Sequence, residues 1–241
     1  MNRQQRASYI EQASLAHLEK FAERSWTLYD RSPFETAPTQ GGGDIIGAYA
    51  QARRLASVFE ESLREYAEHL GVQYRARPSG VKDANRAIEK MSGKGRSLPL
   101  DLLGGTLICT SLDQMYSAAE RASSNFTVVS FRDRCIAPVP TGYRDLQLSV
   151  KLDDGHVAEL KILHRMIADL DRYEHKLFEI QRGIEAEHRD EMPFVEELVV
   201  KSLTRASRRM YTQAWKAVLV SEGLLSEDER LDEETEVNDD D

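Results

Sequence analysis

The stretch that decides the fold is GYRDLQLSVKLDDGHVAELKILHRMIADLDRYEHK, Gly142–Lys176. Apolar side chains occupy every second position from Leu146 to Leu152, which predicts a half-buried strand. Asp153-Asp154-Gly155 has the residue types of a tight hairpin turn. A second strand is predicted over 156–163, and a helical pattern begins at about Arg165. The stretch therefore predicts a β-hairpin followed by a helix.

Polar side chains make this hairpin a candidate site. Tyr143, Arg144 and Gln147 stand at the start of the first strand. Glu159 and Lys161 are two residues apart and share one face of the second strand. A carboxylate beside a cation suits a metal-bound polyphosphate, because the carboxylate holds a hard cation such as Mg²⁺ and the basic groups neutralise phosphate oxygens. A surface salt-bridge cluster explains the same residues, so the pattern alone leaves both interpretations open.

Basic residues also gather upstream of the hairpin. Residues 72–77 alternate as in a strand, Pro78-Ser79-Gly80 predicts a turn, and a helix is predicted to follow, with cations every four residues along one face. The five cations are Arg75, Arg77, Lys82, Arg86 and Lys90. They outline an anion site, although a solvated basic face explains them too. Asp101 then precedes a predicted buried strand over 105–110.

The order and spacing of these motifs resemble the synthetase domain of the RelA/SpoT family, over about residues 72–181. The resemblance is carried by GYRD-L at 142–146, the hairpin, the Glu-x-Lys at 159–161 where the family has Glu-x-Gln, and the Glu-His-Lys at 174–176. It implies transfer of the β,γ-pyrophosphate of ATP to the 3′-hydroxyl of GDP or GTP, which makes the (p)ppGpp alarmones, or of an adenine nucleotide. It also implies Mg²⁺ as cofactor.

The resemblance further implies a role for each matching residue. Asp101 and Glu159 would bind the catalytic Mg²⁺, and Lys161 would act with them. The five upstream cations would bind the ATP phosphates. The acceptor nucleotide would contact Arg144, Gln147 and His175, with the Tyr143 ring stacked on its base. The sequence departs from the family pattern in three places, since Gly104, Gly105 and Thr106 stand where an arginine is common, Lys161 replaces glutamine and Arg86 replaces serine.

These departures leave other functions open. The missing arginine and Lys161 favour a catalytically inactive nucleotide-sensing domain. The basic C-terminal helix favours a toxin that pyrophosphorylates the 3′ end of tRNA, and a nucleotidyltransferase of other specificity is a third alternative. The chain lacks the H…HD pattern of the family's hydrolase domain, which predicts a synthetase-only protein. Such a protein would be a small alarmone synthetase or a toxin relative, the latter partnered by an antitoxin or an immunity protein.

The charge of the chain is concentrated at one end. The net charge is −9, but residues 222–241 carry eleven acidic residues against one arginine, which leaves about +1 for the rest. We expect that acidic tail to be disordered. No apolar run has the length of a membrane span, and the N-terminus lacks the apolar centre of a signal peptide. We therefore expect a cytoplasmic protein, or one delivered into a target cell's cytoplasm if it is an effector.

The predicted architecture is α/β, with a mixed sheet of about five strands, as in the nucleotidyltransferase-like RelA/SpoT synthetase fold. Residues 1–71 form a helical extension, with one helix to about residue 30, a flexible glycine connection at 41–43 and a second helix over 45–70. The synthetase core spans 72–190, the C-terminal helix 191–221 and the acidic tail 222–241. Cys109 and Cys135 form no metal motif and are predicted to be free thiols in core strands. The sequence leaves homo-oligomerisation open.

Overall fold

The structure, a computed structural model, describes residues 3–31, 38–93, 97–188 and 191–228. The elements in these ranges are α1 Arg3–Leu15, α2 Glu19–Arg31, α3 Ile45–Leu70, β1 Gln73–Val81, α4 Ala84–Gly93, β2 Leu103–Cys109, α5 Leu112–Asn125, β3 Thr127–Asp133, β4 Leu146–Lys151, β5 Val157–His164, α6 Arg165–Glu187 and α7 Phe194–Ser221. The strands form one sheet in the order β1-β2-β5-β4-β3. Strands β1 and β2, β3 and β4, and β4 and β5 pair antiparallel. The predicted α/β architecture with a mixed sheet of about five strands is confirmed.

The chain divides into two compact units. Among the described residues, the first comprises 23–31, 38–93, 97–133 and 145–163, and the second 3–22, 134–144, 164–188 and 191–228. Nearly all of the sheet, with α3, α4 and α5, belongs to the first unit. Helices α1, α6 and α7 belong to the second unit. Each unit combines segments that are distant in the sequence.

The hydrophobic core of the first unit covers one face of the sheet. Leu146, Leu148, Leu160 and Ile162 lie opposite one another across β4 and β5, and all are at most 1% exposed. Helices α3 and α5 contribute the buried side chains of Phe59, Leu63, Leu112, Met115 and Tyr116. A Cβ on Gly105 would lie 2.5 Å from Leu63 Cδ1, so the absence of a side chain there lets α3 approach β2 closely.

Two local predictions are corrected by the structure. The single helix predicted for residues 1–30 is two helices, because the chain turns at Ala16–Leu18 with His17 at φ 55°. The turn predicted at Pro78-Ser79-Gly80 lies inside β1, where the register to β2 shifts between Ala76 and Val81. A strand irregularity absorbs the proline and glycine there, instead of a reversal of the chain.

The position of Lys82 is a third correction. It was predicted on one helical face with Arg86 and Lys90, but α4 begins at Ala84. The Lys82 backbone N–H donates to the Leu102 carbonyl at 2.8 Å, which continues the pairing of β1 with β2 by one residue. Lys82 is therefore held by the sheet and not by the helix.

The glycine segment at 41–43 is a built turn, not the predicted flexible connection. Gly42 has φ 98°, and a Cβ there would lie 2.4 Å from the Ala48 backbone nitrogen. A Cβ on Gly47 would lie 2.2 Å from the Gly42 carbonyl oxygen. Asp44 caps α3 by accepting from the Gly47 N–H at 2.7 Å. Gly42 and Gly47 are needed because the turn packs against the first residues of the helix.

Both cysteines are free and buried, as predicted. Cys109 lies in β2, where burial raises the pKa of its thiol to about 12. Cys135 follows β3 and so lies outside the strand in which it was predicted.

The C-terminal end differs in part from the prediction. Leu225 falls within the predicted acidic tail but is buried, at 8% exposure, because the chain turns back after α7 with the Leu224 N–H donating to the Leu219 carbonyl at 2.8 Å. Within 222–228 the packed residue is Leu225, whereas Gly223 and residues 226–228 are exposed, and 229–241 lie outside the described residues. None of the helices described is both long enough and apolar enough to cross a membrane.

Candidate active site

The face of the sheet opposite the core is polar across β3, β4 and β5. Arg132 pairs with Gln147, and Gln147 with Lys161. One row further along, Ser130 pairs with Ser149, and Ser149 with Glu159. Directly paired residues point to the same side of a sheet, so these six side chains form one continuous polar surface. We call this surface the polar face.

A cavity of about 590 Å³ lies on the polar face. The sheet contributes Ser130, Arg132, Gln147, Ser149 and Glu159 to its lining. Two loops complete it, one over 38–40 and the other over 97–101, and the second loop carries Asp101. The cavity thus brings together three of the residues predicted from the sequence, Asp101, Gln147 and Glu159.

Each carboxylate of the cavity has a cation beside it. Lys82 Nζ lies 2.5 Å from Asp101 Oδ2, and both side chains are largely buried. The Glu159 side chain is 12% exposed, with Lys161 Nζ at 3.7 Å from its Oε2. Glu159 Oε1 also accepts a hydrogen bond from Gln147 Nε2. Glu159 therefore lines the cavity while its carboxylate is ion-paired with Lys161.

The donor set of the cavity fits Mg²⁺ carried by a polyphosphate. Among the residues that the structure describes, no group of three or more His, Cys, Asp or Glu side chains is arranged to hold a metal ion. Mg²⁺ commonly binds proteins through one or two carboxylates and takes its other ligands from water and substrate phosphates. Asp101 and Glu159 supply two carboxylates at one cavity, which suits a metal–nucleotide complex.

Arg77 brings a further cation to the polar face. A Cβ on Gly104 would lie 3.3 Å from Arg77 Nη2 and 3.4 Å from Glu159 Cβ. Gly104 is one of the positions where the family resemblance expects an arginine, and a guanidinium from the neighbouring strand lies there instead. Arg75 is two residues away on β1, opposite Thr106, and so shares the side of the sheet with Arg77. Arg86 is half-buried on α4, and the side chain of Lys90 lies outside the described residues.

The remaining predicted acceptor residues belong to the second unit. The Tyr143 ring packs edge-on against Tyr211, with centroids 5.4 Å apart at 85°, and the Arg134 guanidinium lies 5.4 Å from its centroid. Tyr211 is buried and donates to Glu174 Oε2 at 3.1 Å. Burial, reinforced by Asp171 and Glu174, raises the pKa of the Tyr211 hydroxyl. Tyr143 is thus a half-buried ring held by a rigid aromatic neighbour.

Arg144 and His175 have partners of their own in the second unit. The Arg144 guanidinium lies 4.7 Å from the Trp215 ring centroid and donates to the Cys135 carbonyl. His175 is half exposed on α6, with its Nε2 at 3.3 Å from Glu179 Oε1 one turn away. Their assignment to an acceptor site remains a prediction.

Sequence reasoning did not assign Ser130, Arg132, Ser149 or Gln40 to the site. The alternation of β4 already predicted that Ser149 points away from the core. The pairing of β3 with β4, which brings Ser130 and Arg132 beside it, leaves no mark in the sequence. Gln40 lies in a loop far from the hairpin in sequence, and no motif indicated it.

Comparisons with known proteins give structural likenesses at low identity. No protein-family model and no curated protein matches the chain. The small alarmone synthetase 1 from Bacillus subtilis bound to its product pppGpp is 21% identical with a TM-score of 0.49, over 70% of this chain and 92% of that one. A GTP pyrophosphokinase family protein from Streptococcus pneumoniae is 16% identical with a TM-score of 0.47, over 76% and 93%.

A third likeness is to the complex between the Type VI effector Tas1 and its immunity protein. It is 18% identical with a TM-score of 0.49, over 74% of this chain and 100% of that one. These proteins are of the kind that the sequence motifs resemble.

Proposed function

We propose that the chain is an ATP-dependent nucleotide 3′-pyrophosphokinase that uses GDP or GTP as acceptor. The observation that carries the proposal is the cavity on the polar face, whose lining includes both Asp101 and Glu159, each paired with a lysine. A structural salt-bridge cluster would not need two carboxylates beside a cavity of about 590 Å³. The choice of ATP as donor and of GDP or GTP as acceptor comes from the motif resemblance.

The cavity would hold the triphosphate of ATP. Mg²⁺, when bound by Asp101 and Glu159, would neutralise charge on the phosphate oxygens and orient the chain of phosphates. Lys82, Arg132 and Lys161 would add positive charge from the loop and the sheet, and Arg77 from the neighbouring strand. Phosphoryl-type transfer needs mainly positioning and charge stabilisation, which these side chains provide.

In the reaction, the acceptor 3′-oxygen forms a bond to the β-phosphorus of ATP, and the bond from that phosphorus to the α,β-bridging oxygen breaks. AMP leaves with the bonding electron pair, and the acceptor hydroxyl loses its proton. The products are AMP and a nucleotide with a 3′-pyrophosphate. Tyr143 would stack on the acceptor base, since the ring is held by Tyr211 and offers an aromatic surface.

Label transfer tests the proposal directly. The purified chain is incubated with Mg²⁺, γ-labelled ATP and, separately, GDP, GTP, AMP, ADP, ATP or tRNA. We expect label on GDP or GTP together with release of AMP. Label on an adenine nucleotide would change the acceptor but keep the reaction, and no label on any acceptor would favour the nucleotide-sensing alternative.

A second candidate function, pyrophosphorylation of the 3′ end of tRNA, is favoured by one feature of the second unit. Arg205, Arg208 and Arg209 on α7 are exposed, and they could bind a phosphate backbone. Label on tRNA that disappears when these three arginines are replaced by glutamine would establish that function instead. Guanine-nucleotide transfer should not depend on them.

A further inference from the structure

The side chain of Gln40 makes four hydrogen bonds that join three segments of the first unit. Its Nε2 donates to the carbonyl oxygens of Pro99 at 3.0 Å and Val157 at 2.9 Å. Its Oε1 accepts from the backbone N–H groups of Val157 at 2.7 Å and Gly41 at 3.0 Å. Two donors and two acceptors use the full hydrogen-bonding capacity of a primary amide.

The segments that Gln40 joins are those that carry the two carboxylates. Pro99 is two residues before Asp101 in the same loop. Val157 is two residues before Glu159 in β5, on the same side of the strand. Gln40 itself, with Pro38 and Thr39, lines the cavity that Asp101 and Glu159 share.

The backbone around Gln40 is fixed by close packing. A Cβ on Gly41 would lie 3.0 Å from the Gly155 carbonyl oxygen, so this glycine packs directly against the turn of the hairpin. The following turn, with Gly42 and the Asp44 cap, fastens the segment to the first residues of α3. Gln40 is therefore anchored on one side to a long helix, and on the other to the loop and strand of the candidate site.

We propose that Gln40 is a positioning residue, which sets the loop of Asp101 against the strand of Glu159 so that both carboxylates bind one metal–nucleotide complex. The inference rests on the proposed function and extends it to a residue that does not touch the reacting atoms. Outer residues that orient metal ligands typically contribute roughly 10- to 100-fold in metal affinity or activity. A fixed spacing of the two carboxylates is what a metal shared between them requires.

Gln40→Glu is the sharpest substitution. It keeps the length of the side chain but removes both donors and places a carboxylate against the Pro99 and Val157 carbonyl oxygens. Gln40→Met keeps the volume without hydrogen bonds, and it replaces Gln40→Glu if the charged variant does not fold. The matched control is Gln51→Glu, because Gln51 also contacts the hairpin, through the Asp154 carbonyl and His156 Nδ1, both at 3.1 Å.

The test measures metal binding as well as turnover. Free Mn²⁺ is followed by electron paramagnetic resonance while each variant is titrated with Mn²⁺ and a non-hydrolysable ATP analogue. We expect Gln40→Glu to weaken Mn²⁺ binding by roughly 10- to 100-fold and to lower kcat at low Mg²⁺, with partial recovery at high Mg²⁺. The acceptor KM should change little, and Gln51→Glu should behave as the wild type.

The outcomes separate this inference from the proposed function. Wild-type affinity in both Gln40 variants, or an equal loss in Gln51→Glu, overturns the role of Gln40. A wild type that binds Mn²⁺ with the analogue but labels no acceptor overturns the proposed reaction, while the Gln40 comparison still stands on binding. A wild type that binds no Mn²⁺ in the presence of the analogue overturns both.

Discussion

The two faces of the sheet are built from the same strands, but one is polar and the other packs in the hydrophobic core. Glu159 and Leu160 are neighbours in β5, yet the first lines a cavity among polar side chains and the second is fully buried in the core. The period of two along a strand separates the residues that stabilise the fold from those available for chemistry. Stability and function should therefore respond to different substitutions, even at adjacent positions.

The largest expected effect is on the polar face. Glu159→Gln keeps the shape of the side chain and removes the charge, so we expect the transfer rate to fall by several orders of magnitude. The melting temperature should change little, because glutamine can still bond to Gln147. The measurement is initial rate and thermal melting of the same preparation.

Glu61→Gln provides the control for this loss. Glu61 is an exposed α3 residue in an ion pair with Arg64 at 2.8 Å, and its replacement should leave the rate unchanged. If Glu159→Gln instead lowers the free energy of unfolding by about 1–3 kcal/mol and leaves the rate intact, the residue is part of a structural ion pair.

The next largest effect is expected for stability, from a substitution on the apolar face. Leu160→Ala should lower the free energy of unfolding by about 2–5 kcal/mol, since it opens a cavity in the core. The rate per folded molecule, measured well below the melting temperature, should stay close to that of the wild type. Chemical denaturation gives the stability, and Val58→Ala, at an exposed position on α3, is the control expected to be nearly neutral. A loss of rate without a loss of stability would mean that the two faces are coupled.

Tyr143, in the second unit, has a half-buried ring for which we propose a role in binding the acceptor base. Tyr143→Ala should raise the acceptor KM by roughly 10- to 100-fold, because stacking of a base on an aromatic ring contributes on the order of 1–3 kcal/mol. Tyr143→Phe keeps the ring and should be mild. Steady-state kinetics with each substrate varied in turn checks both. If only the KM for ATP changes, Tyr143 contacts the donor nucleotide and not the acceptor.

Sequence reasoning predicted the parts of the site that lie along single strands. Alternation in β4 and β5 was enough to assign Gln147 and Glu159 to the side away from Leu148 and Leu160. It could not give the neighbours of these residues, because the register between strands is set by packing and turns and not by the local pattern. Arg132 and Ser130 were therefore missed, although they are as close to the cavity as the residues that were found.

Local backbone geometry was the other feature that could not be predicted from the sequence. The break between α1 and α2 has neither proline nor glycine, and His17 takes a left-handed conformation that is uncommon for any residue except glycine. The glycines near Gln40 suggested flexibility, since glycine permits many conformations. In the structure Gly41 and Gly42 serve close approach instead, because a Cβ would lie 3.0 Å from the Gly155 carbonyl oxygen at Gly41 and 2.4 Å from the Ala48 nitrogen at Gly42. Sequence alone does not distinguish these two uses of glycine.

The smallest predicted effect concerns His156, which directly follows the turn of the hairpin. His156 is buried, and desolvation lowers the pKa of its imidazole from the ordinary value of 6.5, although Asp154 opposes the shift. Its Nδ1 faces Gln51 Oε1 at 3.1 Å, and its Nε2 has no hydrogen-bond partner among the residues that the structure describes. Burial therefore favours the neutral form of this side chain in the folded state, and a neutral ring that bonds to Gln51 Oε1 carries its proton on Nδ1.

The sign of the pH dependence follows from that lowered pKa. Well above pH 6.5 the side chain is neutral in both states and contributes no pH dependence. As the pH falls through 6.5, the unfolded chain takes up a proton first, so the folded state loses stability until the pH is below the folded pKa. One such group changes the free energy of unfolding by at most about 1.4 kcal/mol per pH unit. His156→Gln should therefore flatten the decline in the free energy of unfolding, measured by urea denaturation between about pH 7.5 and about pH 5. An unchanged slope in His156→Gln would mean that this histidine is protonated in the folded hairpin, and that the loop and strand around the site are more open to water than their packing indicates.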